Sequence, residues 1–183
     1  GIEFNALEEQ EADSPLGPYS GAGTIFGATG GVMEAALRTV YETVTKKELD
    51  KLEFEDVRGF RGIKEATVDL DGLEVKVAIA HGLTNAEALV SEVEAGNSPY
   101  TFIEIMGCPG GCIGGGGQPV ATTNNIRKIR IDALYSLDKS LPIRKSHENP
   151  EIITLYDKYL GKPLGHKAHE LLHTSYIDRS SFI

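Results

Sequence analysis

A short apolar run, TFIEIMG, opens directly into CPGGCIGGGGQP, and this junction constrains the chain more than any other segment. Between residues 107 and 117 seven of eleven positions are Gly, and Cys108 and Cys112 stand in C-x3-C spacing. Glycine permits positive φ and removes side chains, so this backbone can turn tightly and approach a bulky ligand. Successive unobstructed N–H groups also form an anion-binding concavity. Two thiols and many free amides at the exit of a strand suit an iron–sulfur cluster, whose ligands carry negative charge and whose potential responds to amide hydrogen bonds. The spacing equally admits a flexible glycine loop with two incidental buried cysteines. A thioredoxin-like dithiol needs C-x2-C at a helix start, and the glycines after Cys112 oppose a helix there. Zinc needs two further donors, and none lies nearby in the sequence.

Composition narrows the alternatives. Lys and Arg total 18 against 27 Asp and Glu, a net charge of −9, which argues against nucleic acid or an anionic membrane as the main partner. No run approaches the ~18–20 apolar residues of a membrane span, and two cysteines cannot build a disulfide scaffold. Gly is the anomaly, at 21 of 183 residues against a usual ~7%. Twelve of those 21 fall in two windows, Gly21–Gly31 and Gly107–Gly117, and are expected to line one pocket. The first twenty residues are acidic and turn-rich, with no signal-peptide pattern. The cytoplasm is expected rather than the periplasm.

The pattern predicts an α/β fold. VMEAALRTVYETVTK (Val32–Lys46) reads as a helix, with Val32, Ala36, Val40 and Val44 recurring at i+4 and Met33 and Leu37 widening the stripe. IKEATVDL and LEVKVAIA flank Asp71-Gly72, the strongest short-range hairpin signal. A helix is expected from Asn85 to Ala95, with Thr84 as N-cap and Gly96 as stop. FIEIM is a strand. Asn149-Pro150 opens a further helix that runs toward Gly161, and a last short helix covers His166–His173. Residues 1–124 are read as the α/β part and 125–183 as a mostly helical region, joined by NNIRKIR.

Two more motifs bear on chemistry. HELLH (His169–His173) matches the zinc-protease pattern, but only ten residues follow it, none His or Glu. It is read as a short amphipathic helix with Leu171 and Leu172 packed inward. GAGTIFG looks like a glycine-rich nucleotide loop, yet it lacks a preceding strand and the Lys and Ser/Thr of a P-loop. A glycine loop that brings backbone close to a bulky cofactor fits it as well. His81 is placed in a loop, Glu3–Asp13 on a solvated surface, and Arg144–Glu148 in a surface or interdomain polar network.

FIEIMGCPGGCIGGGGQP (Phe102–Pro119) closely resembles the third cluster-binding motif of the iron-only, or FeFe, hydrogenases. FGATGGVMEAALR (Phe26–Arg38) resembles the segment that precedes it in that family. RKSHENP (Arg144–Pro150) through AHELLHTSY (Ala168–Tyr176) looks like the family's C-terminal region, a separate small subunit in some members. Gly114 stands where the family often has Asn. The resemblance implies one lobe of the hydrogenase catalytic domain, with a β-hairpin, flanking helices and a small helical C-terminal region. It also implies the H-cluster: a four-iron four-sulfur cubane joined through a cysteine sulfur to a di-iron unit with carbon monoxide, cyanide and dithiolate ligands. Cys108 would then ligate the cubane, and Cys112 would ligate it and bridge to the di-iron unit. Met106 would pack beside that unit, and Phe26, Gly27 and Gly30 would line the pocket's other side. The implied reaction is the reversible reduction of protons to H2. Implied partners are ferredoxin, NAD(P)-linked subunits and maturation proteins; the alternative is a non-catalytic assembly or sensory relative. The family's Thr-Ser-Cys-Cys-Pro and Met-Pro-Cys-x-x-Lys motifs, which should supply the other two cubane ligands, are absent from these 183 residues. The chain is therefore expected to be the C-terminal part of a longer catalytic chain, without an active site of its own.

Overall fold

The computed structural model describes residues 1–10, 17–120 and 122–177. They form two compact units, one of residues 19–149 and one of residues 1–18 with 150–183.

The larger unit is built on a three-stranded sheet of order β1-β2-β3. Strand β1 (Ile63–Asp69) pairs antiparallel with β2 (Glu74–His81), and β2 pairs parallel with β3 (Phe102–Met106). The Asp71-Gly72 turn has positive φ at both central residues, 60° and 94°, as a two-residue type I′ hairpin requires. Helix α1 (Gly21–Ile25) leads into α2 (Gly31–Thr45), so GAGTIFG is helical in its first five residues rather than a nucleotide loop. Ser20 caps α1 by accepting the Gly23 N–H.

β2 is buried on both faces, and its alternation sorts the core. Val77 and Ile79 pack with Met33 and Leu37 of α2 and with Val57. Ala78 and Ala80 pack with Leu89 of α3 (Leu83–Glu94). Burying each such large apolar side chain is worth about 1.5–3 kcal/mol. Helix α3 starts two residues before the expected Asn85, because Gly82 accepts the Ala86 N–H and Asn85 Nδ2 donates to the His81 carbonyl. Thr84 therefore lies inside the helix. Gly96, at φ 70°, ends it as expected.

The buried face of α2 differs from the apolar stripe. Met33, Glu34, Ala35, Leu37 and Arg38 are buried, whereas Val40 and Val44 are exposed. An ionic cluster accounts for the rotation: Arg38 binds Glu34 and Asp138, and Arg58 and Arg144 complete the charges. Asp138 belongs to α4 (Asn124–Ser140), which NNIRKIR opens and which Thr123 caps. Helix α4 packs Ile131, Leu134 and Tyr135 against Ala22 and Ile25 of α1. The segment after α4 is a polar network, as expected, but a partly buried one: Lys145 is buried against Glu42 and Glu148.

In the smaller unit, α5 (Pro150–Leu155) continues as a π-helical turn, Tyr156–Leu160. Helix α6 (His166–Leu172) follows, with Lys167 stacked over Tyr159. Leu171 and Leu172 are exposed, contrary to expectation; a helix under two turns long packs only Ala168 inward. Residues 1–10 are exposed, and Asp13 lies outside the described residues. No helix among the described residues is long and apolar enough to cross a membrane.

Candidate cluster-binding site

The cysteine loop leaves the carboxyl end of β3, beside the carboxyl end of the parallel strand β2. This is the usual position of sites in open α/β sheets. Cys108 and Cys112 are both exposed free thiols. The loop holds its shape through its own backbone: Gly111 N–H donates to Cys108 O, Gly114 N–H to Gly111 O and Gly115 N–H to Cys112 O, each at 3.0 Å. Gly115 passes so near Cys108 that a Cβ there would stand 3.2 Å from Sγ. Around Gly116 and Gly117 the space is open.

The two glycine windows meet. Thr29 N–H donates to Gly110 O at 3.0 Å, and Ile113 N–H donates to Gly27 O at 3.2 Å. Gly111 is wedged between them, at φ 97°, where a Cβ would lie 2.8 Å from both Gly27 O and Met106 Sδ. Gly27, Met106, Cys108 and Cys112 are thus drawn into one neighbourhood. Phe26, which ends α1, is 45% exposed. Gly30 lies on the loop's other side, at φ 90°, packed on the Val57 carbonyl with its N–H donated to Glu104.

Three residues around this site escaped the sequence reading. His81 is not in a loop but ends β2, because its N–H still pairs with Gly62 O and its position with Met106. It is buried, packs on Phe60, and accepts the Gly110 N–H on Nδ1 at 3.2 Å. The ring proton therefore sits on Nε2. Burial pushes its pKa down, reinforced by the Lys64 and Arg127 charges. Glu104, buried on β3, accepts the Gly30 N–H (2.6 Å) and the Met33 N–H (2.7 Å). Burial raises its pKa although those amides favour the carboxylate. Lys64, buried on β1, donates to Thr29 O (3.0 Å) and Gly59 O (3.1 Å), and burial brings its pKa down to about 8. A signal existed: Lys64 shares a strand face with Ala66, Val68 and Leu70, and Glu104 sits between apolar neighbours.

Two other arrangements are set aside by their geometry. The HELLH rings of His169 and His173 stack at 4.2 Å on an exposed helix, and no described residue joins them in a ligand trio. The one such trio among the described residues is Glu42, His147 and Glu148. Lys145 Nζ already bridges its carboxylates, at 2.7 and 2.8 Å.

Comparison with known proteins agrees with this geometry. Residues 1–116 match the family model described as iron only hydrogenase large subunit, C-terminal domain, and residues 124–179 match that of the iron hydrogenase small subunit. The chain is 51% identical over 179 residues to the NADP-reducing hydrogenase subunit HndD of Solidesulfovibrio fructosivorans, covering 97% of this chain and 30% of that one. It is 29% identical over 186 residues to the cytosolic Fe-S cluster assembly factor narfl of Xenopus tropicalis, covering 96% of this chain and 38% of that one. Among solved structures, the FeFe-hydrogenase HydA1 of Chlamydomonas reinhardtii matches with a TM-score of 0.68 and 47% identity, over 96% of this chain and 51% of that one. The chain thus spans about a third of the length of the curated relatives named here. With a cysteine loop of this build and these matches, the chain belongs to the iron-only hydrogenase family, as the C-terminal domain of its large subunit together with a small-subunit region.

Proposed function

We propose that this chain supplies two of the cubane ligands and one wall of the H-cluster pocket in an iron-only hydrogenase. The observation that carries the reading is the cysteine loop itself. Its two exposed thiols stand among glycines, a Cβ at Gly115 would crowd Cys108 Sγ at 3.2 Å, and open space surrounds Gly116 and Gly117. The residues present therefore fit the thiolate side of such a cluster. A cubane needs four ligands, so an upstream part of a longer chain provides the remainder.

When bound, the cluster supplies the bond chemistry that interconverts H2 with two protons and two electrons. The chain's own residues do the rest. Cys108 and Cys112 would hold the metal as thiolates, with Cys112 as the residue shared with the di-iron unit. Met106, whose thioether lies against Gly111, would pack beside that unit without ligating it. The Gly27–Gly31 loop would form the opposite wall with Phe26 at its edge, held to the cysteine loop by hydrogen bonds to Gly110 and Ile113.

Ferredoxin is the proposed electron partner, alongside NAD(P)-linked subunits, a kind of partner that the name of HndD supports. Dedicated maturation proteins install the di-iron unit. The similarity to an assembly factor supports a second reading, a cluster-bearing protein without turnover. Hydrogen evolution from reduced ferredoxin by the full-length protein, produced with its maturation proteins, separates the two. Turnover that is lost in Cys112→Ser is the expected result. A fully loaded cluster with no turnover would favour the assembly reading.

A further inference from the structure

Three buried polar side chains, one from each strand, point at the two glycine loops. Lys64 of β1, Ile79 of β2 and Glu104 of β3 form one cross-strand row, since Lys64 pairs with Ile79 and Ile79 with Glu104. Paired residues share a sheet face, and this is the face covered by α2 and the Gly27–Gly31 loop. His81 lies two residues beyond Ile79 on the same face.

Lys64 and Glu104 favour each other's charged form across the row, but neither is the other's hydrogen-bond partner. No direct ion pair joins Lys64 to Glu104 among the described residues, and each directs its hydrogen bonds at the glycine loop and its flanks. The Lys64 ammonium has three donors and meets three acceptors, Thr29 O, Gly59 O and, at 3.4 Å, Thr29 Oγ1. Glu104 gives one oxygen to Gly30 N–H and the other to Met33 N–H. Gly30 is the N-cap of α2 and has no side chain to cap with; Glu104 does so from the neighbouring strand, at the helix end that favours negative charge.

The far side of the same loop holds the cysteine loop. Thr29 O is tied to Lys64 while Thr29 N–H is tied to Gly110 O, and Gly110 N–H returns to the sheet through His81 Nδ1. A hydrogen-bonded path thus runs from β1 through both loops to β2. Buried charges are costly, and well-packed apolar replacements often match or exceed the stability of a buried ion pair. Core packing alone gives no reason for a lysine and a glutamate here.

We infer that Lys64 and Glu104 are positioning residues, which clamp the Gly27–Gly31 loop to the sheet and through it set the cysteine loop against the pocket wall. The inference rests on the proposed cluster site for its purpose, but the clamp itself is testable without a cluster. The test uses the full-length protein, prepared with and without its maturation proteins. In the unmatured wild type, hydrogen exchange read on peptides covering 26–31 and 108–115 should be slow despite their glycine content. Exchange at the rate of an unstructured chain would overturn the clamp. Lys64→Met should speed both peptides about tenfold or more while 131–139 of α4 keeps its rate. Unchanged loop peptides, or equal acceleration everywhere, would overturn it. Should Lys64→Met not fold, the isosteric Glu104→Gln reads the other arm with the same two outcomes. In the matured protein, Lys64→Met should retain iron but shift the infrared bands of the carbon monoxide and cyanide ligands, and unshifted bands would contradict a positioning role. Absence of those bands from matured wild type would sink the proposed function, while the exchange data would still judge the clamp.

Discussion

Gly111 leaves no space for a side chain at the point where the two loops touch. Its φ of 97° is in the left-handed region, and a Cβ would lie 2.9 Å from Thr29 N in addition to its contacts with Gly27 O and Met106 Sδ. Gly111→Ala should therefore cost about 1–3 kcal/mol of backbone strain and reduce iron loading in the matured protein. Gly116 has nothing within 4 Å and a φ outside the left-handed region, so Gly116→Ala should stay within about 0.5 kcal/mol of wild type before loading. Thermal unfolding and iron analysis of both variants check the contrast, and equal behaviour would contradict it. Arg38 is the other residue on which much depends. It is fully buried, bound to Asp138 through both outer nitrogens (2.8 and 2.9 Å), to Glu34 (2.8 Å) and to the Leu52 carbonyl (3.0 Å). Removing it leaves buried carboxylates under-compensated, so Arg38→Met should cost about 3–5 kcal/mol in urea unfolding. A loss below about 1 kcal/mol would mean that Arg58 and Arg144 neutralise the cluster without it.

Between elements, the last turn of α2 is fastened to the segment after α4 by Glu42. This carboxylate meets Lys145 (2.7 Å), His147 (2.8 Å) and the Leu49 N–H (2.9 Å). Burial opposes its ionisation, but the Lys145, Leu49 and His147 hydrogen bonds outweigh it and hold the pKa down to about 2. The folded value lies below the ordinary 4.5, so Glu42 contributes stability above that pH and loses it as the pH falls toward 2. Glu42→Gln should flatten the slope of unfolding free energy across this window; an unchanged slope would contradict the assignment. The elements also differ in how far the sequence alone reveals them. The hairpin at Asp71-Gly72, the strand FIEIM and the glycine stop of α3 are local signals, and each is where its turn chemistry places it. The inward face of α2 is not legible in the same way, because Glu34 and Arg38 are buried only by virtue of Asp138, which is 100 residues from Arg38 in sequence. At the site, the cysteine spacing is visible, whereas Lys64, His81 and Glu104 act through backbone contacts 29 to 74 residues away. Such contacts leave no periodic trace beyond a charge on an apolar strand face.

At the scale of the whole molecule, the glycine excess is local and has a structural use. The Gly27–Gly31 and Gly107–Gly117 segments are joined by backbone hydrogen bonds at Thr29–Gly110 and Gly27–Ile113, and the sheet grips the pair from behind. Length and ligand count point the same way: the chain covers 30% of HndD, and its two cysteines are half of what a cubane requires. The proposed enzyme is therefore a property of a longer chain, in which these residues form one wall of the pocket. Loading should fail when the 183 residues are expressed alone with the maturation proteins, and iron analysis checks that directly. The central claim, that Cys108 and Cys112 hold the cluster and Cys112 bridges to the di-iron unit, is tested most directly by infrared spectroscopy of the matured full-length protein. Wild type should show carbon monoxide and cyanide bands, and Cys112→Ser should lose them. Bands that persist in Cys112→Ser, or that are absent from a wild type prepared with active maturation proteins, would contradict the account.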